Sequence, residues 1–330
     1  MVASHSVVSR WAPAFVCTGL LGGAPMPISK KPRKKKSQVI KKKTASSRAT
    51  SSLPAFRTME STLRGLVGPS ANDALGQAQN LIYQAWETSS HSRRMALARR
   101  ALKVCPHCAD AYVLLAVEAA ATLDEQRKLY ELGVRAGELA LGSQGFEEYA
   151  GHFWGFLETR PYMRARAGLA QTLWAQGRHK QAADHYWNML ELNPNDNQGL
   201  RYVLAGWLLF LKDESRLEHL FQQYGDEASP FMLYTQALAA FQTNGDTEKA
   251  RTFAEEAWNT NAHIPGALAR TKTVKASNMD YYTPGGENEA AFYLDEYAFV
   301  WRQTPGAIDW LVNATKNLKP HAAPGAAQLH

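Results

Sequence analysis

Residues 163–196 read MRARAGLAQTLWAQGRHKQAADHYWNMLELNPND, and this stretch decides the fold. Apolar side chains recur three and four positions apart on both sides of Gly177, which predicts two amphipathic helices joined by a tight turn. The small residues Ala170 and Ala182 allow the two helices to approach closely, and Pro194 ends the second helix. The stretch therefore predicts a helical hairpin of 34 residues.

The same layout recurs along the chain. A second copy at 231–264 has its turn at Gly245, which lies 68 residues, or two units, after the first turn glycine. Helical hairpins repeated at this period are typical of tetratricopeptide repeats. We therefore predict an all-α, tetratricopeptide-like solenoid that grows by stacking hairpins and ends in C-terminal capping helices. The other predicted units are 109–142 and a degenerate unit at 197–230 with Lys212-Asp213 as its turn.

Composition divides the chain into four predicted regions. They are a disordered basic tail at 1–67, the repeat array at 68–265, a loop with capping helices at 266–320, and a frayed end at 321–330. Three interpretations of residues 1–25 stay open: Met26 is the true start, a signal peptide precedes it, or the extension is native. No apolar run approaches the roughly 20 residues that span a bilayer. We expect a cytoplasmic protein, with a nuclear location as the alternative.

Charge is segregated between the tail and the body. The formal net charge is +7, yet no Asp or Glu precedes Glu60, whereas twelve Lys and Arg do. Such a polycation either contacts nucleic acid or an anionic surface in a salt-sensitive way, or it only keeps the tail solvated. A nucleic-acid-associated protein is therefore an alternative function. The tail residues that would carry it are Lys34, Lys35, Lys36, Lys41, Lys42 and Lys43.

Two stretches resemble a known family. Residues 108–137 read CADAYVLLAVEAAATLDEQRKLYELGVRAG and resemble the central region of the suppressor of tumorigenicity protein family. A later stretch, Asn261-Ala262-His263-Ile264-Pro265 followed by Gly286, Glu289, Ala290 and Tyr293, resembles that family in the same order. The resemblance covers about 105–312 and implies a helical repeat protein that acts as an adaptor, without known catalytic residues. The family's membrane association is not carried over, because this sequence shows no spanning segment.

Cys105-Pro106-His107-Cys108 is the motif with most chemical content. The same four residue types occur in thiol oxidants of the thioredoxin class, where the first Cys begins a helix and has a lowered pKa. A strand precedes the motif in that class, whereas the residues before Cys105 are helical here. The pair also supplies only half of a zinc site. A thiol oxidoreductase is thus the third alternative, against a structural role in which Pro106 closes a repeat and Cys108 packs in the core.

An insertion at 143–162 breaks the period and begins the densest patch of reactive side chains. Arginine forks in such a patch match carboxylates or phosphates. The structural alternative is that Glu158 pairs with an arginine and the aromatic side chains fill a packing gap. The patch comprises His152, Trp154, Glu158, Arg160, Tyr162 and Arg166.

The first helix of each hairpin in this repeat class lines a concave groove. Counting from Met163, we expect a polar, net positive groove that binds a peptide with an acidic end. The chain is thus predicted to be a non-catalytic scaffold for a protein or peptide partner, and no cofactor or metal ion is expected. The predicted partner-binding residues are Arg164, Gln171, Trp174, Asn197 and Arg201.

Overall fold

The computed structural model describes residues 73–225, 227–270 and 282–318. Within these ranges the chain forms 13 α-helices and no strand, which confirms the predicted all-α class. The predicted tail at 1–67, with its lysines, and the end at 321–330 lie outside the described residues. The helices are α1 (Ala74–Glu87), α2 (His91–Val104), α3 (Ala109–Glu118), α4 (Leu123–Glu148), α5 (Arg160–Ala175), α6 (His179–Leu192), α7 (Leu200–Leu211), α8 (Glu214–Gln223), α9 (Pro230–Asn244), α10 (Glu248–Thr260), α11 (His263–Ala269), α12 (Glu287–Gln303) and α13 (Ala307–Thr315).

The first ten helices form five successive hairpins, each of which packs its two helices against each other. The turns of the third, fourth and fifth hairpins contain Gly177, Lys212 and Gly245, with φ of 78°, 54° and 69°. A left-handed backbone at these points reverses the chain within two or three residues, and glycine adopts it without steric cost. The predicted turns are thus confirmed, including the one that uses Lys212 instead of glycine.

Polar side chains begin many of the helices. Ser90 accepts a hydrogen bond from the Arg93 amide at the start of α2, and Thr122 accepts one from the Glu125 amide at the start of α4. Such caps satisfy amides that have no partner inside the helix. Asp213, Ser229 and Thr247 cap α8, α9 and α10 in the same way.

The helices enclose two groups of buried apolar side chains. The main core extends from Val113 on α3 to Leu311 on α13, and a smaller core lies among α1, α2 and α3 around Ile82 and Met95. Small residues allow close approach where helices cross: a Cβ at Gly168 would lie 2.1 Å from the Tyr130 ring. Since each large apolar side chain contributes about 1.5–3 kcal/mol on burial, the main core provides most of the stability.

The insertion is shorter than predicted. α4 continues to Glu148 across a break at Gly142, where φ is 61° and ψ is 177°, and α5 already begins at Arg160. The intervening loop is held by aromatic packing, since Phe153 lies 5.2 Å from Phe146 and 6.0 Å from Tyr162 between ring centroids. The loop thus fills the space between α4 and α5.

The C-terminal helices do more than close the end of the array. α11 runs through the predicted boundary at 265, and α12 packs against α7 and α9, the first helices of the last two hairpins. Tyr293, Tyr297 and Trp301 on α12 are completely buried. None of the described helices is both long and apolar enough to cross a bilayer.

Candidate interaction sites

Arg164 lies in the interior and not on an open groove. Its Nε and Nη2 donate to the two carboxylate oxygens of Asp110 on α3 at 2.7 and 2.6 Å, and the two side chains are 3% and 0% exposed. Gln79 on α1 donates to the same carboxylate at 2.7 Å. The network joins the first helices of three hairpins. The predicted open position of Arg164 is therefore corrected, because a partner does not reach a side chain buried this far.

Gln171 and Trp174 are half-buried on α5. The Gln171 side-chain amide donates to the Tyr186 hydroxyl at 3.0 Å. The Trp174 ring stacks on Trp207 at 4.5 Å, with only 4° between the ring planes, and Phe299 of α12 lies 6.1 Å away. The predicted positions of these residues are thus adjacent in space, but their side chains face other parts of the same chain.

Arg201 forms a second internal charge network, at the start of α7. Its guanidinium donates to Asp196 at 2.8 Å and to Glu227 at 2.7 Å, and it also donates to the Tyr202 hydroxyl at 2.7 Å. Burial opposes its charge, but the hydrogen bonds to these partners outweigh that effect and raise the pKa of Arg201. Asn197, by contrast, is exposed. Of the predicted groove residues, only Asn197 is exposed.

α12 explains why the groove is closed there. The Tyr297 hydroxyl donates to the backbone oxygen of Tyr202, and Gly206 leaves room for the Tyr297 ring. A Cβ at Gly206 would lie 3.3 Å from that ring. α12 thus covers this part of α7, on the side where the groove was predicted.

The predicted insertion patch divides into two separate groups. Trp154 is buried, its amide donates to Asn193 at 3.1 Å, and Arg160 donates to the Trp154 carbonyl at 3.0 Å. These contacts fix the loop onto α6, as the structural alternative expected. His152 is exposed, and the expected pairing of Glu158 with an arginine stays a prediction.

The second group of the patch opens into a cleft among α4, α5 and α6, of about 240 Å³. Arg166 donates through Nη1 to the Tyr162 hydroxyl at 2.6 Å and through Nε to Nδ1 of His185 at 3.3 Å. Burial, and secondarily the charge of Arg166, lower the pKa of His185 to about 4, so its imidazole is neutral at pH 7. Arg178 and Asp184 also line the cleft.

The two cysteines of the motif lie in the turn between α2 and α3, both as free thiols. Cys105 ends α2 and is half-buried, whereas Cys108 precedes α3, is buried, and approaches Gln79 at 3.7 Å. The position at the helix N-terminus therefore belongs to the second cysteine and not the first. In the described part of the chain, no three His, Cys, Asp or Glu side chains form a group that could hold a metal ion.

Comparison with known proteins supports the resemblance noted above. A family model described as ST7 protein matches residues 69–152. This chain is similar to the ST7 family. Rat "Suppressor of tumorigenicity 7 protein-like" is 24% identical over 261 residues, which cover 72% of this chain and 46% of that protein. "Protein ST7 homolog" of Drosophila melanogaster is 24% identical over 264 residues, or 72% of this chain and 49% of the homologue.

The likeness to the ST7 family has a limited extent. The chain spans about half the length of the curated ST7 relatives that it matches. The similarity to the "Protein ST7 homolog" of Caenorhabditis elegans is of the same order, at 24% identity over 288 residues. No solved structure matches the chain.

The sequence interpretation missed two features of these sites. His185 on α6 and Arg178 just before it line the cleft, although neither was singled out, because they share a cleft with Arg166 only when α5 and α6 pack. Asp110 was missed as the partner of Arg164. A signal for it existed, since each is the second residue of its predicted unit, and complementary charges at one repeat position come together when neighbouring units stack.

Proposed function

We propose that this chain is a non-catalytic, tetratricopeptide-like scaffold that binds a segment of another protein. The serial hairpins, and the positive φ in the turns of the last three, support the repeat architecture. Binding along α7 is not part of the proposal, since α12 covers that face. The partner instead binds the outward face of α4.

The position of the exposed apolar side chains carries this proposal. Leu132 and Leu139 on α4 are 49% and 57% exposed. They lie seven residues apart, so that two helical turns place them on one face, with exposed Arg135 between them. Within the described residues the other large apolar side chains with comparable exposure also belong to the second hairpin or the loop after it, namely Val117, Leu123 and Phe156.

Apolar side chains exposed together on one surface, with polar residues around them, are typical of protein-binding sites. The spacing of Leu132 and Leu139 fits an amphipathic helix whose apolar residues recur at the same interval. Both leucines lie in the segment that the ST7 family model matches, so the proposal concerns the part of the chain that is similar to that family.

The test compares partners that co-purify with the full chain and with the Leu132→Ser/Leu139→Ser variant. The matched control is Glu218→Ser/Gln222→Ser, which changes two exposed residues one turn apart on α8. We expect one partner to disappear with the leucine variant alone. That partner is then titrated as a purified protein, where loss of a central apolar anchor weakens binding roughly 30-fold. Equal affinity for the wild type and the leucine variant would contradict the proposal.

The charge of the tail supports a second candidate, a nucleic-acid-associated protein. Twelve basic residues and no acid precede Glu60. Deleting 26–48 from the full chain should abolish binding to an RNA or DNA duplex. The affinity of the intact chain should fall steeply, by roughly 10³-fold, between 50 and 200 mM salt, because salt weakens binding through phosphate contacts. Salt-sensitive binding that survives the deletion would exclude the tail as its cause.

A further inference from the structure

The cleft among α4, α5 and α6 contains a positive charge without a charged partner. Arg166 has only neutral hydrogen-bond partners: the Tyr162 hydroxyl, the His185 imidazole and, with its amide oriented to fit, Asn188 at 3.0 Å. Among the described residues, no carboxylate lies within ion-pair distance of Arg166. These partners use three of the five N–H donors of a guanidinium, which leaves two to bind a ligand.

The two acids that line the cleft are already paired. Glu131 forms an ion pair with Arg127, and Asp184 forms one with Arg216 at 2.8 Å. Arg178, at the start of α6, is exposed and its Nε donates only to the neutral side chain of Gln181, at 2.5 Å. Two arginines without acidic partners therefore face one cleft.

The shape of the cleft indicates which anion it takes. Leu169 and Leu173, which are 5% and 3% exposed, also line the cleft and provide a small apolar floor. A glutamate side chain has an aliphatic stem that packs on such a floor and a carboxylate that the arginine forks match. An inorganic anion would pair with the arginines but would have no aliphatic part to pack on the apolar floor.

We propose that this cleft binds the carboxylate of a glutamate in an acidic segment of another protein, through Arg166 and Arg178. The inference rests on the proposed function, because it supplies the chemistry of the partner. Tyr162 and neutral His185 hold the Arg166 guanidinium in place, and the exposed Arg178 adds a second charge.

The experiment titrates the full chain with a blocked hexapeptide of glutamate. Because the basic tail also attracts acidic peptides, every protein compared has Lys34, Lys35, Lys36, Lys41, Lys42 and Lys43 replaced by Gln. The variants are Arg178→Gln and Arg166→Gln/Arg178→Gln. The control, Arg99→Gln/Arg100→Gln, removes the same charge from the exposed face of α2. Circular dichroism checks that each variant folds. If the double variant does not fold, the single variant Arg178→Gln, at an exposed turn, still tests the site.

We expect the double variant to lose at least tenfold in affinity for the glutamate peptide, roughly the effect of one charged hydrogen bond. The control variant should keep its affinity for the glutamate peptide. The affinity for a glutamine hexapeptide should not change in the double variant. An equal loss in the control would attribute binding to net charge and overturn the inference. Phosphate that competes as well as the peptide would also overturn it, in favour of a free-anion site. Because the titration uses a defined peptide, its failure leaves the outcome at Leu132 and Leu139 standing.

Discussion

Asp110 and Arg164 show how stacking of hairpins changes the exposure and the pairing of a charged residue. Each is the second residue of its predicted unit, and each looks exposed when one hairpin is considered alone. In the folded chain the two form a bidentate ion pair that is almost completely buried. Such a pair contributes little net stability, because desolvation offsets the attraction, but removing one partner leaves a buried charge unpaired.

We therefore predict that Arg164→Ala lowers the free energy of unfolding by about 3–5 kcal/mol. The double variant Asp110→Ala/Arg164→Ala should lose less than the sum of the single variants, because it removes both charges. Urea unfolding of the four proteins measures this difference. Additive losses would show that the pair is not coupled.

His185 gives the protein a pH dependence of stability. Its pKa is about 4 in the folded chain, against a usual value near 6.5 in an unfolded one. Between these values the unfolded state binds the proton and the folded state does not, so the free energy of unfolding falls as pH drops from 6.5 towards 4. The partial exposure of the ring limits the effect to about 1–2 kcal/mol.

The matching variant is His185→Gln, which keeps an acceptor for Arg166 but does not titrate. We expect it to lose less stability than the wild type between pH 6.5 and 4. His107→Gln, at an exposed position, should follow the wild type. The measurement is chemical unfolding at several pH values, and identical slopes for the wild type and His185→Gln would disprove the assignment.

At the scale of elements, the close crossing of α4 and α5 depends on glycines, which have no side chain at the contact. A Cβ at Gly168 would lie 2.1 Å from Tyr130, and one at Gly137 would lie 2.8 Å from Tyr162. Aromatic rings on each helix thus pack against bare backbone on the other. This close approach shapes the cleft, because α5 carries Arg166 and α4 forms one of the walls.

Two glycine substitutions should therefore affect stability differently. We predict that Gly168→Ala costs about 1–3 kcal/mol, because the extra methyl group forces the helices apart. Gly266→Ala, within α11 and with no atom within 4 Å of its Cβ, should be neutral or stabilise by up to about 1 kcal/mol through helix propensity. Thermal unfolding of both variants compares them, and equal effects would show that packing at Gly168 is not the cause.

At the scale of the whole molecule, stability is distributed unevenly. The main core joins α3 through α13, with α12 buried against α7 and α9, whereas α1 and α2 pack with one side of α3 in a smaller core. Solenoid stability is a sum of units and interfaces, so a hairpin packed in a smaller core is held less strongly. The first hairpin should open before the rest.

Hydrogen exchange tests this expectation on the intact chain. Amides of α1 and α2 should exchange with an opening free energy below that of α5, α7 and α12, which should exchange only near the global limit. The difference follows from the number of buried apolar side chains around each helix. Uniform protection across all these helices would instead indicate a single cooperative unit.

The local sequence determined the helices and their turns. The 3.6-residue apolar period, the turn residues Gly177, Lys212 and Gly245, and the capping side chains act over a few neighbouring residues, so one hairpin contains the information that they need. The resemblance of 108–137 to the ST7 family was likewise readable from the residues alone.

Tertiary structure decided which surfaces stay open. Whether Arg164 faces solvent depends on Asp110, 54 residues away, and whether the groove along α7 is free depends on α12, some 95 residues away. Such contacts depend on how the hairpins stack and where the chain returns, which the period of one hairpin does not specify. Burial and charge pairing are properties of that arrangement, and for this reason the cleft at Arg166 emerged only from the folded chain.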